Sequence, residues 1–117
     1  MIEQGTEGHI VNTASEAGIT SSPGFAVYHA TKHAVVGISE SLHHDLALAS
    51  SKLKVSVVCP WWVKTGIFDS DRNRPTELQN QPTAHERHKQ DEIMDTMSRQ
   101  TLDTTGQSPL EVAEQVF

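Results

Sequence analysis

The stretch AVYHATKHAVVGISESLHHDLALASSKLKVSVVC, residues 26 to 59, carries two periodicities in succession. Val35, Ile38, Leu42, Leu46 and Ala49 recur at steps of three or four, as one face of an α-helix requires. They predict a helix over residues 26–49, about six turns long. SSKLK ends it, and VSVVC follows as an apolar run dominated by β-branched residues. Such runs form strands covered on both faces, as in parallel sheets.

Upstream, HIVNTAS (residues 9–15) reads as a short strand. Its core is His9-Ile10-Val11, and Asn12, Thr13 and Ser15 place polar groups at its end. EQGTEG (3–8) before it reads as a helix end and turn, and EAGITSSPGF (16–25) after it as a loop rich in Gly, Ser and Pro. Strand, long helix and strand make a βαβ unit with a right-handed crossover. The composition changes after Thr65. From residue 66 to 107 the apolar residues thin out, and the stretch reads as an excursion over the surface with some helical character, Ile93, Met94 and Met97 lying on one side. SPLEVAEQVF opens a last helix, with Ser108 as N-cap, Pro109 at the first helical position and Glu111 at the capping-box position.

The chain has 117 residues, the length of one small domain. Nine basic against 15 acidic residues give a net charge of −6. That argues against nucleic acid or an anionic membrane surface as the main partner, since both call for a basic face. MIEQGTEGHI has neither a basic start nor an apolar stretch, so it is no signal peptide. VSVVCPWWV is far shorter than the ~20 apolar residues of a spanning helix. Cys59, the single cysteine, suits a reducing interior and reads as a small buried residue. The expectation is a soluble cytoplasmic protein.

Tyr28 and Lys32 lie at the start of the predicted helix, and Ser15 at the carboxyl end of the strand before it. Active sites of open α/β sheets gather beyond those strand ends. At i, i+4 spacing the phenol and the ammonium share one helix face. A cation beside a phenol favours its ionised form. With the Ser15 hydroxyl holding a substrate oxygen, the three make a proton relay to and from an alcohol or carbonyl oxygen. On these residues alone, a Tyr and a Lys on a solvated helix face is the competing reading.

GHIVNTASEAG, then Tyr28 and Lys32, then VSVVCPWWVKT together resemble the second half of the short-chain dehydrogenase/reductase family. The resemblance runs from Gly8 to the SPLEVAEQVF helix, with three motifs in the family's order. It implies an α/β fold, a partial Rossmann-like doubly wound parallel sheet truncated at both ends. It also implies an oxidoreductase using NAD or NADP on a small alcohol or ketone. By position, Ser15 orients substrate, Tyr28 is the proton donor or acceptor, and Lys32 holds the nicotinamide ribose and depresses the tyrosine pKa. Pro60, Val63 and Thr65 match the motif beside the nicotinamide, with Thr65 at the carboxamide. Trp61, also assigned to the cofactor, stands where the family usually has Gly. A tryptophan there either crowds the nicotinamide or turns outward. TGIFDSDRNRP corresponds to a region that covers substrate, and the whole 66–107 excursion is assigned that role.

Within these residues there is no Gly-rich turn for a pyrophosphate and no residue to select NAD over NADP. The chain therefore reads as one partial nucleotide-binding domain, residues 1–117, the carboxyl-side part of a longer enzyme. The alternative is a non-catalytic remnant or interaction module of the same shape. The resemblance also makes the 26–49 helix, with His43 and His44, a subunit interface of a homo-oligomer. His29 and His33 read as structural. Ser21 and Ser22 read as loop residues, not rival catalytic serines. His85 and His88, three apart, have the spacing of a metal pair but no third ligand nearby, so they read as a solvated helix face.

Overall fold

The computed structural model describes residues 1–49, 52–78, 83, 92 and 100–116, in two units, Met1–Trp61 and Trp62–Phe117. The first unit is the βαβ element. A short 3-10 turn, Ile2–Gln4, closes on Gly5. Strand β1, Gly8–Thr13, then lies parallel to β2, Leu53–Val58, in a register that pairs Gly8 with Leu53 and Thr13 with Val58. The ladder extends one step past the strand ends, where the Ala14 N–H donates to the Val58 carbonyl at 2.8 Å.

Helix α1, Ala26–Leu48, joins the two strands and packs against β2 and β1. Phe25 at its N-cap offers no side-chain acceptor. The entry is set instead by Pro23-Gly24, with Gly24 at φ 83°, a left-handed value that a Cβ disfavours. The buried stripe of α1 is only partly the one its hydrophobicity predicts: Leu46 is buried and Val35 and Leu42 are half-buried, but the other two positions turn outward. Ile38 is 64% exposed and Ala49 is exposed, whereas Ser39 is 2% exposed and His29 is buried. His29, Ser39 and Leu46 are the buried positions, with Lys32, Val36 and Leu42 half-buried between them. Ser39 tolerates burial because its hydroxyl is fully used. It donates to the Val35 carbonyl at 2.7 Å and accepts from the Asn12 side-chain amide of β1 at 3.0 Å. A buried hydroxyl without partners would cost more than the site returns.

The apolar core of this unit is thin: Ala14, Ala17, Leu46 and Leu53. The β2 run, expected to be covered on both faces, leaves Val55, Val57 and Val58 half-buried and Lys54 and Ser56 exposed. Cys59 follows the strand and is half-buried rather than buried.

In the second unit, residues 66–73 and 76–78 wind as 3-10 turns, with the Arg72 guanidinium donating to the Gly66 carbonyl. Farther along, the described residues include helix α2 at Gln100–Thr105 and helix α3 at Pro109–Val116. Between them Gln107 forms a parallel bridge with Val63. Its N–H donates to the Trp62 carbonyl at 2.9 Å, and its carbonyl accepts from the Lys64 N–H at 2.8 Å. The capping box at α3 is reciprocal, with the Ser108 N–H donating to the Glu111 carboxylate and the Glu111 N–H to Ser108 Oγ. That carboxylate is held below its ordinary range, first by the backbone N–H of Ser108 and then by the Ser108 hydroxyl. Ile93, Met94 and Met97, and the His85–His88 pair, lie outside the described residues.

Candidate active site

The carboxyl ends of β1 and β2 meet in backbone hydrogen bonds. The Glu16 N–H donates to the Pro60 carbonyl at 2.9 Å, which places Ser15 beside the loop that leaves β2. Ser15 is half-buried and extended, and it caps a 3-10 turn, Glu16–Gly18, by accepting the Ala17 N–H at 3.2 Å. A hydroxyl both donates and accepts. With its oxygen engaged in this way, Ser15 still has its own hydrogen to give.

The same turn rests on the start of α1. The Ala17 carbonyl accepts a hydrogen bond from the His29 ring at 2.9 Å. Gly18 comes so close that a Cβ built there would lie 2.9 Å from the Lys32 carbonyl oxygen and 2.9 Å from a Val36 methyl. Only glycine permits that approach. The turn that follows Ser15 is thus pressed onto the two turns of α1 that carry Tyr28 and Lys32.

The Tyr28 ring is partly exposed, and its hydroxyl has no hydrogen-bond partner among the described residues. The Lys32 ammonium stands 5.6 Å from the centroid of the Tyr28 ring, a cation–π distance. It pairs with no carboxylate among the described residues. Ser15 thus stands on the turn that packs against α1, and Tyr28 and Lys32 stand on the first turns of that helix. A hydroxyl and a phenol are groups that can hold an oxygen atom and exchange a proton with it.

Pro60 and Trp61 lie at the end of the same unit. Pro60 is half-buried, and Trp61 is 53% exposed. Val63 and Thr65 belong to the second unit, where Val63 is in the bridge to Gln107 and the Thr65 N–H donates to the Val63 carbonyl at 2.8 Å. Ser22 is occupied by His29, and Ser21 is exposed. The His43 and His44 rings meet edge to face at 5.5 Å on the exposed side of α1. Among the described residues, no group of three His, Cys, Asp or Glu is placed to hold a metal ion. No helix among them is long and apolar enough to cross a membrane. The sequence pattern marks Ser15, Tyr28 and Lys32 but says nothing of the Glu16–Pro60 and Ala17–His29 bonds. The only hint in the sequence is a histidine directly after the tyrosine.

Residues 1–76 match the family model described as short chain dehydrogenase. A dehydrogenase/reductase of CLA biosynthesis from Lactiplantibacillus plantarum is 39% identical over 77 residues, 66% of this chain and 27% of that protein. Human retinol dehydrogenase 10 is 46% identical over 68 residues, 57% of this chain and 20% of that protein. Among solved structures, a short chain dehydrogenase/reductase from Burkholderia phymatum in complex with NAD superposes with a TM-score of 0.71 at 33% identity, over 99% of this chain and 48% of the other. The F189W actinorhodin polyketide ketoreductase with NADPH gives a TM-score of 0.63 at 32% identity, over 99% and 41% respectively. The chain thus spans about a quarter of these curated relatives and less than half of these solved structures.

Proposed function

The chain belongs to the short chain dehydrogenase family, a partial α/β Rossmann-like fold, and from that premise we infer that it carries the proton relay of an oxidoreductase interconverting an alcohol and a carbonyl. The single observation that carries the reading is the fastening of the Ser15 turn onto the Tyr28–Lys32 end of α1, through the Ala17–His29 bond and the Gly18 contact. For NAD or NADP, Lys32 is assigned to the ribose hydroxyls at the nicotinamide end, and Pro60, Trp61, Val63 and Thr65 are assigned to the ring and its carboxamide by their match to the family's motif. When bound, the dinucleotide supplies or accepts the hydride.

This chain's residues handle the proton. In the oxidative direction Ser15 donates a hydrogen bond to the alcohol oxygen and holds it against Tyr28. The ionised phenol takes the O–H proton as the carbon gives up its hydride, and in reduction the phenol returns it to the carbonyl oxygen. The Lys32 charge stabilises the phenolate and holds the ribose. The substrate is a small alcohol or ketone, residues 66–107 are assigned to it by the family resemblance, and the outward face of α1 joins subunits.

In the protein as its gene encodes it, Tyr28→Phe should lower kcat by about 10²- to 10⁴-fold while dinucleotide affinity holds, because the change removes a proton and little surface. Turnover of secondary alcohols with NAD⁺ and NADP⁺, followed by nicotinamide absorbance, makes the test. Wild-type turnover from the Phe variant would end the relay assignment. A wild-type protein inactive with every alcohol would favour a non-catalytic module of the same fold.

A further inference from the structure

Between Tyr28 and Lys32 sits a histidine that the relay does not use. His29 is 8% exposed, and both of its ring nitrogens are engaged. Nδ1 lies 2.9 Å from the Ala17 carbonyl, which can only accept, so Nδ1 carries a proton. Nε2 lies 2.9 Å from the Ser22 backbone nitrogen, which can only donate, so Nε2 is an acceptor. The Ser22 hydroxyl, 2.8 Å from the same nitrogen, then donates to it as well. The partners fix the neutral Nδ1–H tautomer. The backbone carbonyl of His29 in turn accepts from the His33 ring at 2.9 Å.

The ring therefore grips both ends of the span 17–22, which leads away from Ser15. Ser15 and Tyr28 stand thirteen positions apart on different elements, and no local geometry sets their separation. The Ser15 end is tied to the Pro60 carbonyl through Glu16. On the α1 side, the ring of His29 and the contact of Gly18 with Lys32 hold it.

We propose that His29 is a positioning residue. Its ring locks the 15–22 span onto the first turns of α1, so that the Ser15 hydroxyl and the Tyr28 phenol converge on one substrate oxygen. The proposal rests on the relay reading above. A displacement of about 1 Å between such groups is enough to cost about 10²-fold in rate, and a flexible 17–22 span would allow it.

The test uses His29→Phe, which keeps a flat ring without nitrogens, and His29→Gln, whose amide oxygen again offers Ser22 an acceptor. Both are made in the protein as its gene encodes it. His29→Phe should lower kcat by about 10- to 100-fold with dinucleotide Kd within about 2-fold of wild type, and His29→Gln should recover most of that loss. Hydrogen exchange at the Ser22 amide should speed up in the Phe variant and slow again in the Gln variant. Three results overturn the proposal: unchanged kcat in His29→Phe, a Gln variant no better than Phe, or kcat and Kd falling together in step with the melting temperature. A wild-type protein without turnover overturns the relay reading and the positioning role with it. Ser22 exchange then still reports, without activity, whether the ring holds the loop.

Discussion

Gly18→Ala should destabilise the first unit, and the amount follows from the contact it creates. An added Cβ would stand 2.9 Å from the Lys32 carbonyl oxygen, 2.9 Å from a Val36 methyl and 3.2 Å from the Lys32 carbonyl carbon. Ordinary contacts of this kind begin at about 3.5 Å, so a retreat of about half an ångström is required. Neither neighbour yields readily. The carbonyl belongs to the backbone of α1, and a helical valine has essentially one χ1 rotamer. The 3-10 turn must withdraw instead, stretching the Ala17–His29 and Glu16–Pro60 hydrogen bonds, both now 2.9 Å. Overpacking of this sort costs about 1–3 kcal/mol. At about 4–8 °C per kcal/mol for a small domain, a loss of about 2 kcal/mol lowers Tm by about 8–16 °C. Gly37→Ala supplies the opposite sign. A Cβ at Gly37 meets nothing within 4 Å. It lies inside α1, where alanine gains about 0.5–1 kcal/mol over glycine. Thermal melts by far-ultraviolet circular dichroism, with urea midpoints at constant m-value, compare the two variants with wild type. Gly18→Ala melting within about 2 °C of wild type, or Gly37→Ala losing as much as Gly18→Ala, would refute the close-approach reasoning.

Ser39→Ala removes the acceptor of the Asn12 amide and should cost about 1–3 kcal/mol, the range for stranding a buried polar partner; restoration of the melt by pairing it with an apolar residue at Asn12 would identify the stranded amide as the cause. The Glu111 carboxylate titrates below its ordinary range because the Ser108 N–H binds its charged form. The support it gives α3 is therefore complete above the ordinary carboxylate pKa and is lost as pH falls through the lowered one. The Ser108 amide shift should follow that loss on acidification and become flat in Glu111→Gln; an amide that titrates equally in both would reject the capping role.

The elements of the first unit were legible because each depends on its own local pattern. Steps of three and four over residues 26–49 gave α1, Ala26–Leu48, and the β-branched run gave β2. The order of Ser15, Tyr28 and Lys32 before and along that helix is what nominates them as a candidate site, and Ser-Pro-x-Glu announced the capping box realised at Ser108 and Glu111. Which stripe of α1 turns inward was a different matter. Hydrophobicity selects Ile38, but Ser39 is buried because Asn12, 27 positions away, reaches its hydroxyl. His29 likewise owes its place to Ala17, 12 positions back, and to Ser22. A polar side chain can be buried only where its partners converge. Those partners come from separate elements, so the periodicity of a single segment carries no record of them, and only the packing of helix, turn and strand ends decides it.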